Sequence, residues 1–217
     1  MVRCRLTHRP PLRIAGITEI PPSARGMRIG LFGGSFNPVH AGHRLVMQQM
    51  LVRLRLDALW VLVTPGNPLK NHAELAPLRD RVEAARQTLA HPRVRVTGFE
   101  AALGFAYSWQ TVRFLSQTLP DRHFVWIMGA DNLAQFHRWE RWTEIAATMP
   151  IAVYVRPGAD RVAPASRAAL ALQPFRIPES QAGTLALRPP PAWVYLHGKQ
   201  STLSSSQLRA RGRETAK

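Results

Sequence analysis

The chain has 217 residues, enough for one domain that buries roughly 70% of the surface its unfolded chain would expose. Its net charge of +16 indicates an anionic partner: a nucleotide, a nucleic acid or a membrane surface. The sequence lacks a run of 18 apolar residues, which excludes an ordinary membrane-spanning helix. Its single cysteine excludes an intramolecular disulfide and is compatible with a reducing compartment.

Residues 1–26 are rich in arginine and proline and show little periodicity. We predict that they form a basic, disordered extension, and that residues 27–217 form the working domain. Under this interpretation the extension is dispensable, and an organellar transit peptide is the alternative. Much of the excess positive charge lies in this extension and in residues 207–217, so the charge alone does not indicate a nucleic-acid partner.

The stretch GGSFNPVHAGH at residues 33–43 follows an apolar run at 27–32 and opens a helical pattern. Its two glycines let backbone N–H groups approach phosphate oxygens, and a helix N-terminus adds the positive end of its dipole. His40 and His43, at the start of that helix, are expected to face the same anion. A lone His-x-x-His pair is also typical of a helix surface or of zinc ligands, but no further ligand lies at a metal-like spacing.

Alternating strand and helix patterns follow this stretch. Apolar residues recur at helical spacing between 45 and 56, and residues 59–63 form a continuous apolar run of strand length. Further strands are predicted at 93–97, 123–128, 151–155 and 193–196, and further helices at 77–90 and 109–119. The predicted fold is α/β, with a Rossmann-like parallel sheet and helices on both faces.

Several local features are predicted from the same patterns. Residues 99–105 are expected to form a loop and Ser108 to cap the following helix. Residues 159–192 are rich in alanine, proline and arginine and show little periodicity. Arg79, Arg81 and Arg86 are expected on the solvent face of the helix at 77–90. Asp131 follows a strand, where an acidic side chain serves as a helix N-cap or bonds a ribose hydroxyl.

The stretch at 33–43 resembles the nucleotide-binding motif of the HxGH nucleotidylyltransferase superfamily, and its longer form resembles that of bacterial nicotinate-nucleotide adenylyltransferases. STLSSSQLR at 201–209 is similar to the second signature of the superfamily, ISSTxIR. GADNL at 129–133 resembles the GxDxL pattern of the family. Residues 106–108 read Ala-Tyr-Ser where the family usually has Ser-Tyr-Thr, and Trp109 replaces a small residue. The resemblance covers residues 27–213.

The resemblance implies adenylyl transfer from ATP to nicotinic acid mononucleotide, giving nicotinic acid adenine dinucleotide and pyrophosphate in cytoplasmic NAD biosynthesis. A phosphate oxygen of the acceptor attacks the α-phosphorus in line, so positioning and charge stabilisation are sufficient and no protein nucleophile is needed. Mg²⁺ is expected to arrive with ATP, because no carboxylate cluster suggests a metal site built by the protein.

The residues that the resemblance implicates fall into three groups. Basic side chains are expected on the phosphates as catalytic residues: His40, His43, Lys70 and Arg209. The expected ATP-binding residues are Gly33, Gly34, Ser35, Phe36, Gly42, Gly129, Asp131, Ser204, Ser205 and Ser206. The expected acceptor-binding residues are Tyr107, Ser108 and Trp139, whose indole would stack on the nicotinate ring.

Three alternatives stay open. The acceptor could instead be nicotinamide mononucleotide or phosphopantetheine, because a carboxylate and a carboxamide differ by one charge and no single residue of the sequence reads that difference. The chain could be a basic nucleic-acid-binding protein, but it has no RNP, zinc-finger or helix-turn-helix signature, so no nucleic-acid partner is expected. A catalytically silent scaffold is the third alternative, because the chain stops soon after Arg209.

Overall fold

The computed structural model describes residues 16–65, 75–155 and 163–198. Within these ranges the strands are β1 (Arg28–Gly34), β2 (Ala58–Val63), β3 (Val94–Thr97), β4 (His123–Gly129), β5 (Ile151–Tyr154), β6 (Arg176–Ile177) and β7 (Trp193–Leu196). All seven belong to one sheet with the order β3-β2-β1-β4-β5-β7-β6, and every neighbouring pair is parallel.

Helices cover both faces of this sheet. The α-helices are α1 (Ala41–Arg53), α2 (Leu78–Thr88), α3 (Phe99–Ala102), α4 (Ser108–Thr118), α5 (Ala130–Gln135), α6 (Trp142–Thr148) and α7 (Arg167–Ala171). Short 3₁₀ helices lie at Phe136–Arg138, Ala163–Ala165, Gln173–Phe175 and Glu179–Leu187. The first two α-helices and the last 3₁₀ helix pack on one face, and α3 to α7 pack on the other. The predicted fold class is therefore confirmed.

The strand order explains where a ligand can bind. After β1 the chain builds β2 and β3 on one side, and it then returns to place β4 and β5 on the other side. In open parallel sheets the connections diverge at such a switch point and leave a crevice beyond the carboxyl ends of the strands. Here that crevice lies between β1 and β4, next to the predicted phosphate site.

Two predictions of local secondary structure are wrong. Residues 99–102 form α3 instead of a loop, and the hydroxyl of Thr97 accepts a hydrogen bond from the Phe99 N–H at the start of that helix. Ser108 is the first residue of α4 instead of its cap, because Tyr107 takes the N-cap position. The described part of 159–192 contains α7, β6 and three 3₁₀ helices, so this region has regular structure despite its irregular sequence.

Residues 16–26 lie against the sheet domain. The Ile17 carbonyl accepts a hydrogen bond from the Gly98 N–H at 2.8 Å, and the Gly26 N–H donates to the Asp121 carbonyl at 2.7 Å. The domain boundary at Met27 stays a prediction, and residues 1–15 lie outside the described ranges. Every helix in these ranges is too short or too polar to span a bilayer.

Candidate active site

Two histidine side chains close the N-terminus of α1. His40 is the N-cap residue, and its Nδ1 accepts a hydrogen bond from the Gly42 N–H at 3.1 Å. Nδ1 of His43 accepts in turn from the His40 N–H at 3.2 Å, which makes a reciprocal capping arrangement. A neutral imidazole that accepts at Nδ1 carries its proton at Nε2. Both rings therefore carry their proton at Nε2, both side chains are buried, and the ring centres lie 3.9 Å apart.

Phe36 shapes the turn between β1 and α1. Its backbone is left-handed, with φ of 46°, and its buried ring packs edge-on against Phe32 and lies 4.9 Å from the ring of His43. A Cβ on Gly34 would stand 3.2 Å from the Phe36 ring, so only glycine fits this turn without displacing the aromatic ring. The side chain of Phe36 supports His43, and the backbone of the turn lies beside the helix N-terminus.

Arg81 does not lie on the solvent face of α2, where the sequence pattern predicted it. It is buried, not solvent-facing, and its guanidinium donates hydrogen bonds to the carbonyls of Ser35, Thr64 and Ala76. Burial lowers the pKa of this guanidinium, and no carboxylate in the described ranges forms an ion pair with it. Its position was readable from the helical period, because it lies three residues after Leu78 and four before Ala85.

The carboxyl end of β4 faces the same crevice. Gly129 ends this strand and is the N-cap residue of α5, so Asp131 is not the cap. Asp131 lies in the first turn of α5 with an exposed side chain. Because β1 and β4 are parallel neighbours, Gly129 and Asp131 lie at the same edge of the sheet as Gly33 and Gly34.

An aromatic group lies on the opposite face of the sheet from α1. The half-buried indole of Trp139 meets Trp126 edge-on at 6.5 Å and Phe136 edge-on at 5.4 Å, which fixes the plane of its ring. Tyr107 is exposed and Ser108 half-buried at the start of α4, which packs against α6. The histidine pair and Trp139 thus flank the switch point from the two faces.

Five residues predicted for the site lie outside the described ranges: Lys70, Ser204, Ser205, Ser206 and Arg209. Their expected places beside the phosphates stay predictions.

Comparison with known proteins shows the family. A family model described as cytidylyltransferase-like matches residues 31–211. A relative from Methylorubrum extorquens, named as a probable nicotinate-nucleotide adenylyltransferase, is 58% identical over 185 residues, 85% of this chain and 100% of the relative. The chain belongs to the nicotinate-nucleotide adenylyltransferase family. A relative with the same name from Agrobacterium fabrum is 52% identical and covers 84% of the chain and 98% of the relative.

Solved structures are similar in fold to this family member. The nicotinic acid mononucleotide adenylyltransferase of Plasmodium falciparum, complexed with NaAD, superposes with a TM-score of 0.62 at 15% identity over 85% of this chain and 83% of its own. A second structure of that protein, complexed with APC, gives a TM-score of 0.60 over the same shares. The predicted family membership and the predicted nucleotidyltransferase class are confirmed.

Proposed function

We propose that the chain transfers the adenylyl group of ATP to nicotinic acid mononucleotide, giving nicotinic acid adenine dinucleotide and pyrophosphate, a step of NAD biosynthesis. The observation that carries this proposal is the pair of imidazoles at the N-terminus of α1, where backbone N–H groups donate to the Nδ1 atoms of His40 and His43 and so assign the ring protons to Nε2. This N-terminus opens on the switch point of a parallel sheet, where nucleotides bind in folds of this type. The family to which the chain belongs supports the same reaction.

The reaction needs positioned hydrogen-bond donors more than it needs acids or bases. A phosphate oxygen of the acceptor forms a bond to the α-phosphorus while the bond from that phosphorus to the leaving pyrophosphate oxygen breaks. The nucleophile is already anionic, so no proton has to be removed from it. Neutral Nε2–H donors and backbone N–H groups near Gly34 and Ser35 stabilise the negative charge that builds on the phosphate oxygens.

Other groups complete the proposed phosphate site. Lys70 and Arg209 are assigned to the β- and γ-phosphates, and Ser204, Ser205 and Ser206 to ATP, on the sequence resemblance alone. Among the described residues no group of three His, Cys, Asp or Glu side chains could hold a metal ion. Mg²⁺ is therefore proposed to enter as the ATP complex, where it neutralises phosphate charge. A cytoplasmic location also stays a prediction from the sequence.

The acceptor is assigned to the aromatic side of the crevice. The ring of Trp139 is held by two edge-on contacts and is half-buried, so it can receive a flat heterocycle on its face. Tyr107 and Ser108 at the start of α4 are proposed to line the same pocket. A pyridine nucleotide bound there would direct its phosphate toward the histidine pair.

The reaction is tested by measuring pyrophosphate release from ATP and Mg²⁺ with each acceptor in turn. We expect the fastest release with nicotinic acid mononucleotide, and slower release with nicotinamide mononucleotide and phosphopantetheine. Faster release with another acceptor would keep the adenylyl transfer and overturn the acceptor. No release with any of the three would overturn the reaction itself.

The role of His43 is tested with two variants. His43→Asn keeps an acceptor near the Nδ1 position for the His40 N–H but lacks the Nε2–H donor, so we expect turnover to fall by about 10² to 10³ while the fold persists. His43→Ala loses both the Nε2–H donor and the acceptor for the His40 N–H, while the His40 cap stays, so its free energy of unfolding should also fall by about 0.5–1.5 kcal/mol. Near-normal turnover in His43→Asn, measured beside its urea unfolding curve, would contradict the donor role.

A further inference from the structure

Arg141 and Trp109 form a contact between the two segments that the proposed function assigns to the acceptor. The guanidinium carbon of Arg141 lies 4.2 Å from the centre of the Trp109 ring, well within the range of a cation–π interaction. Trp109 follows Ser108 in the first turn of α4, and Arg141 follows Trp139 by two residues. The contact therefore brings a positive charge to the place where both pocket segments meet.

The backbone at Arg141 is unusual. Its φ of 51° and ψ of 39° lie in the left-handed region, which side chains with a Cβ rarely adopt. Among the described residues only three non-glycine residues have positive φ, and two of them, Phe36 and Arg141, lie in the segments assigned to the candidate site. Such conformations persist where the surrounding structure imposes them, and they concentrate at functional sites. Here the conformation accompanies the stacking of the Arg141 side chain on Trp109.

Stacking leaves the guanidinium able to bind an anion. The guanidinium carbon lies over the Trp109 ring, and a cation–π contact of this kind uses none of the five N–H donors of the arginine as a hydrogen bond. The carboxylate of Glu144 lies 3.5 Å from one Nη atom, at the long end of an ion-pair contact, and the Arg141 side chain is 48% exposed. Donors therefore remain for a second carboxylate.

We propose that Arg141, held against Trp109, is a specificity-determining residue that binds the carboxylate of the nicotinate ring and so discriminates against the uncharged carboxamide. This inference rests on the proposed function, because it needs a pyridine ring on Trp139. Stacking on Trp139 does not distinguish the two acceptors, because it contacts the pyridine ring that they share. The guanidinium of Arg141, two residues further along the chain, distinguishes a charged carboxylate from a neutral carboxamide on that ring.

The inference is tested by kcat/KM for nicotinic acid mononucleotide and for nicotinamide mononucleotide in the wild type, in Arg141→Gln and in Arg141→Lys. We expect Arg141→Gln to lower the acid-to-amide ratio about tenfold, through a loss confined to the acid, and Arg141→Lys to keep part of the ratio. Arg113→Gln, which removes an exposed arginine from α4, is the matched control and should leave the ratio unchanged.

Each other outcome overturns the inference in a distinguishable way. An unchanged ratio in Arg141→Gln, with a selective wild type, would exclude Arg141 as the reader of the carboxylate. Equal losses of kcat/KM for both acceptors would show that the guanidinium binds a group that both acceptors share, such as the 5′-phosphate, and not the carboxylate. A wild type without any preference for the acid would overturn the proposed acceptor together with this inference.

The dependence on Trp109 is tested by a double-mutant cycle. If the indole holds the guanidinium in place, Trp109→Ala should lower the acid-to-amide ratio by itself, and adding Arg141→Gln should lower it little further. Trp109→Phe keeps an aromatic face and should retain most of the ratio, which separates lost stacking from a general loss of packing. Fully additive effects would show that Arg141 does not act through Trp109, and would overturn that part of the proposal.

Discussion

At the scale of single residues, Arg81 links the loops beneath the candidate phosphate site. One guanidinium satisfies carbonyls from the turn after β1, from the residue after β2 and from the segment before α2. Because the Ser35 carbonyl belongs to the turn that leads into α1, Arg81 positions the backbone beside the histidine pair. Its guanidinium has no carboxylate partner among the described residues.

We expect Arg81→Met to lower the free energy of unfolding by about 2–4 kcal/mol, because buried carbonyls lose their donor. Arg81→Lys keeps the charge and should lose less stability. Its KM for ATP should rise, because the turn at Ser35 loses part of its hydrogen bonding. Urea unfolding curves and steady-state kinetics measure both effects. Arg79→Met on the exposed face of α2 is the control, and equal stability of the two Met variants would contradict the role of Arg81.

At the scale of helices and strands, a buried carboxyl joins α3 to α4. Glu100 accepts a hydrogen bond from the hydroxyl of Thr111, and both side chains are buried. Burial raises the pKa of Glu100 from 4.5 to about 7, although the hydrogen bond from Thr111 acts in the opposite direction. This carboxyl holds its proton in the folded protein at a pH where the unfolded chain has already lost it.

The difference between the folded and unfolded pKa of Glu100 makes the free energy of unfolding depend on pH. Below about pH 4.5 Glu100 is protonated in both states, and above about pH 7 it is ionised in both, so its effect changes only between these values. Within this window the folded state binds more protons, so the free energy of unfolding falls as pH rises, by about 3 kcal/mol in total. Glu100→Gln, which cannot ionise, should lack this loss. Urea unfolding of the wild type and of Glu100→Gln from pH 5 to pH 8 measures this difference. If the free energies of unfolding of the two proteins changed with pH in parallel, the role of Glu100 would be contradicted.

At the scale of the whole molecule, residues 16–26 join the carboxyl end of β3 to the amino end of β4. The Thr97 hydroxyl donates to the Glu19 carbonyl at 2.7 Å, and the Arg122 guanidinium donates to the Ser23 carbonyl at 2.9 Å. Ile17 and Gly26 also form backbone hydrogen bonds with Gly98 and Asp121 of the sheet domain. None of them involves α1 or its N-terminus.

A chain beginning at Met27 should therefore fold and turn over, with a free energy of unfolding about 1–3 kcal/mol below that of a chain beginning at Gly16. The comparison isolates residues 16–26, because both chains lack residues 1–15. Thermal and urea unfolding measure the difference, and pyrophosphate release measures activity. Equal stability of the two chains would show that the contacts of this segment contribute nothing.

Local patterns in the sequence were sufficient for the elements that are defined locally. The continuous apolar runs predicted β2 and β7, because strands covered on both faces have no polar face to interrupt them. The glycine turn and the spacing of His40 and His43 predicted a helix N-terminus with two imidazoles, because both lie within one stretch of chain. The same stretch identified the family.

Contacts between distant parts of the chain were decided only by the tertiary structure. The burial of Arg81 depends on carbonyls from three separate segments, and the stacking of Arg141 on Trp109 depends on how α4 packs against α6. Helix α7 and strand β6 form in a region whose sequence shows no clear period, because neighbouring elements bury its apolar residues. Period and propensity are properties of adjacent residues, whereas burial and partner choice depend on the whole packed chain.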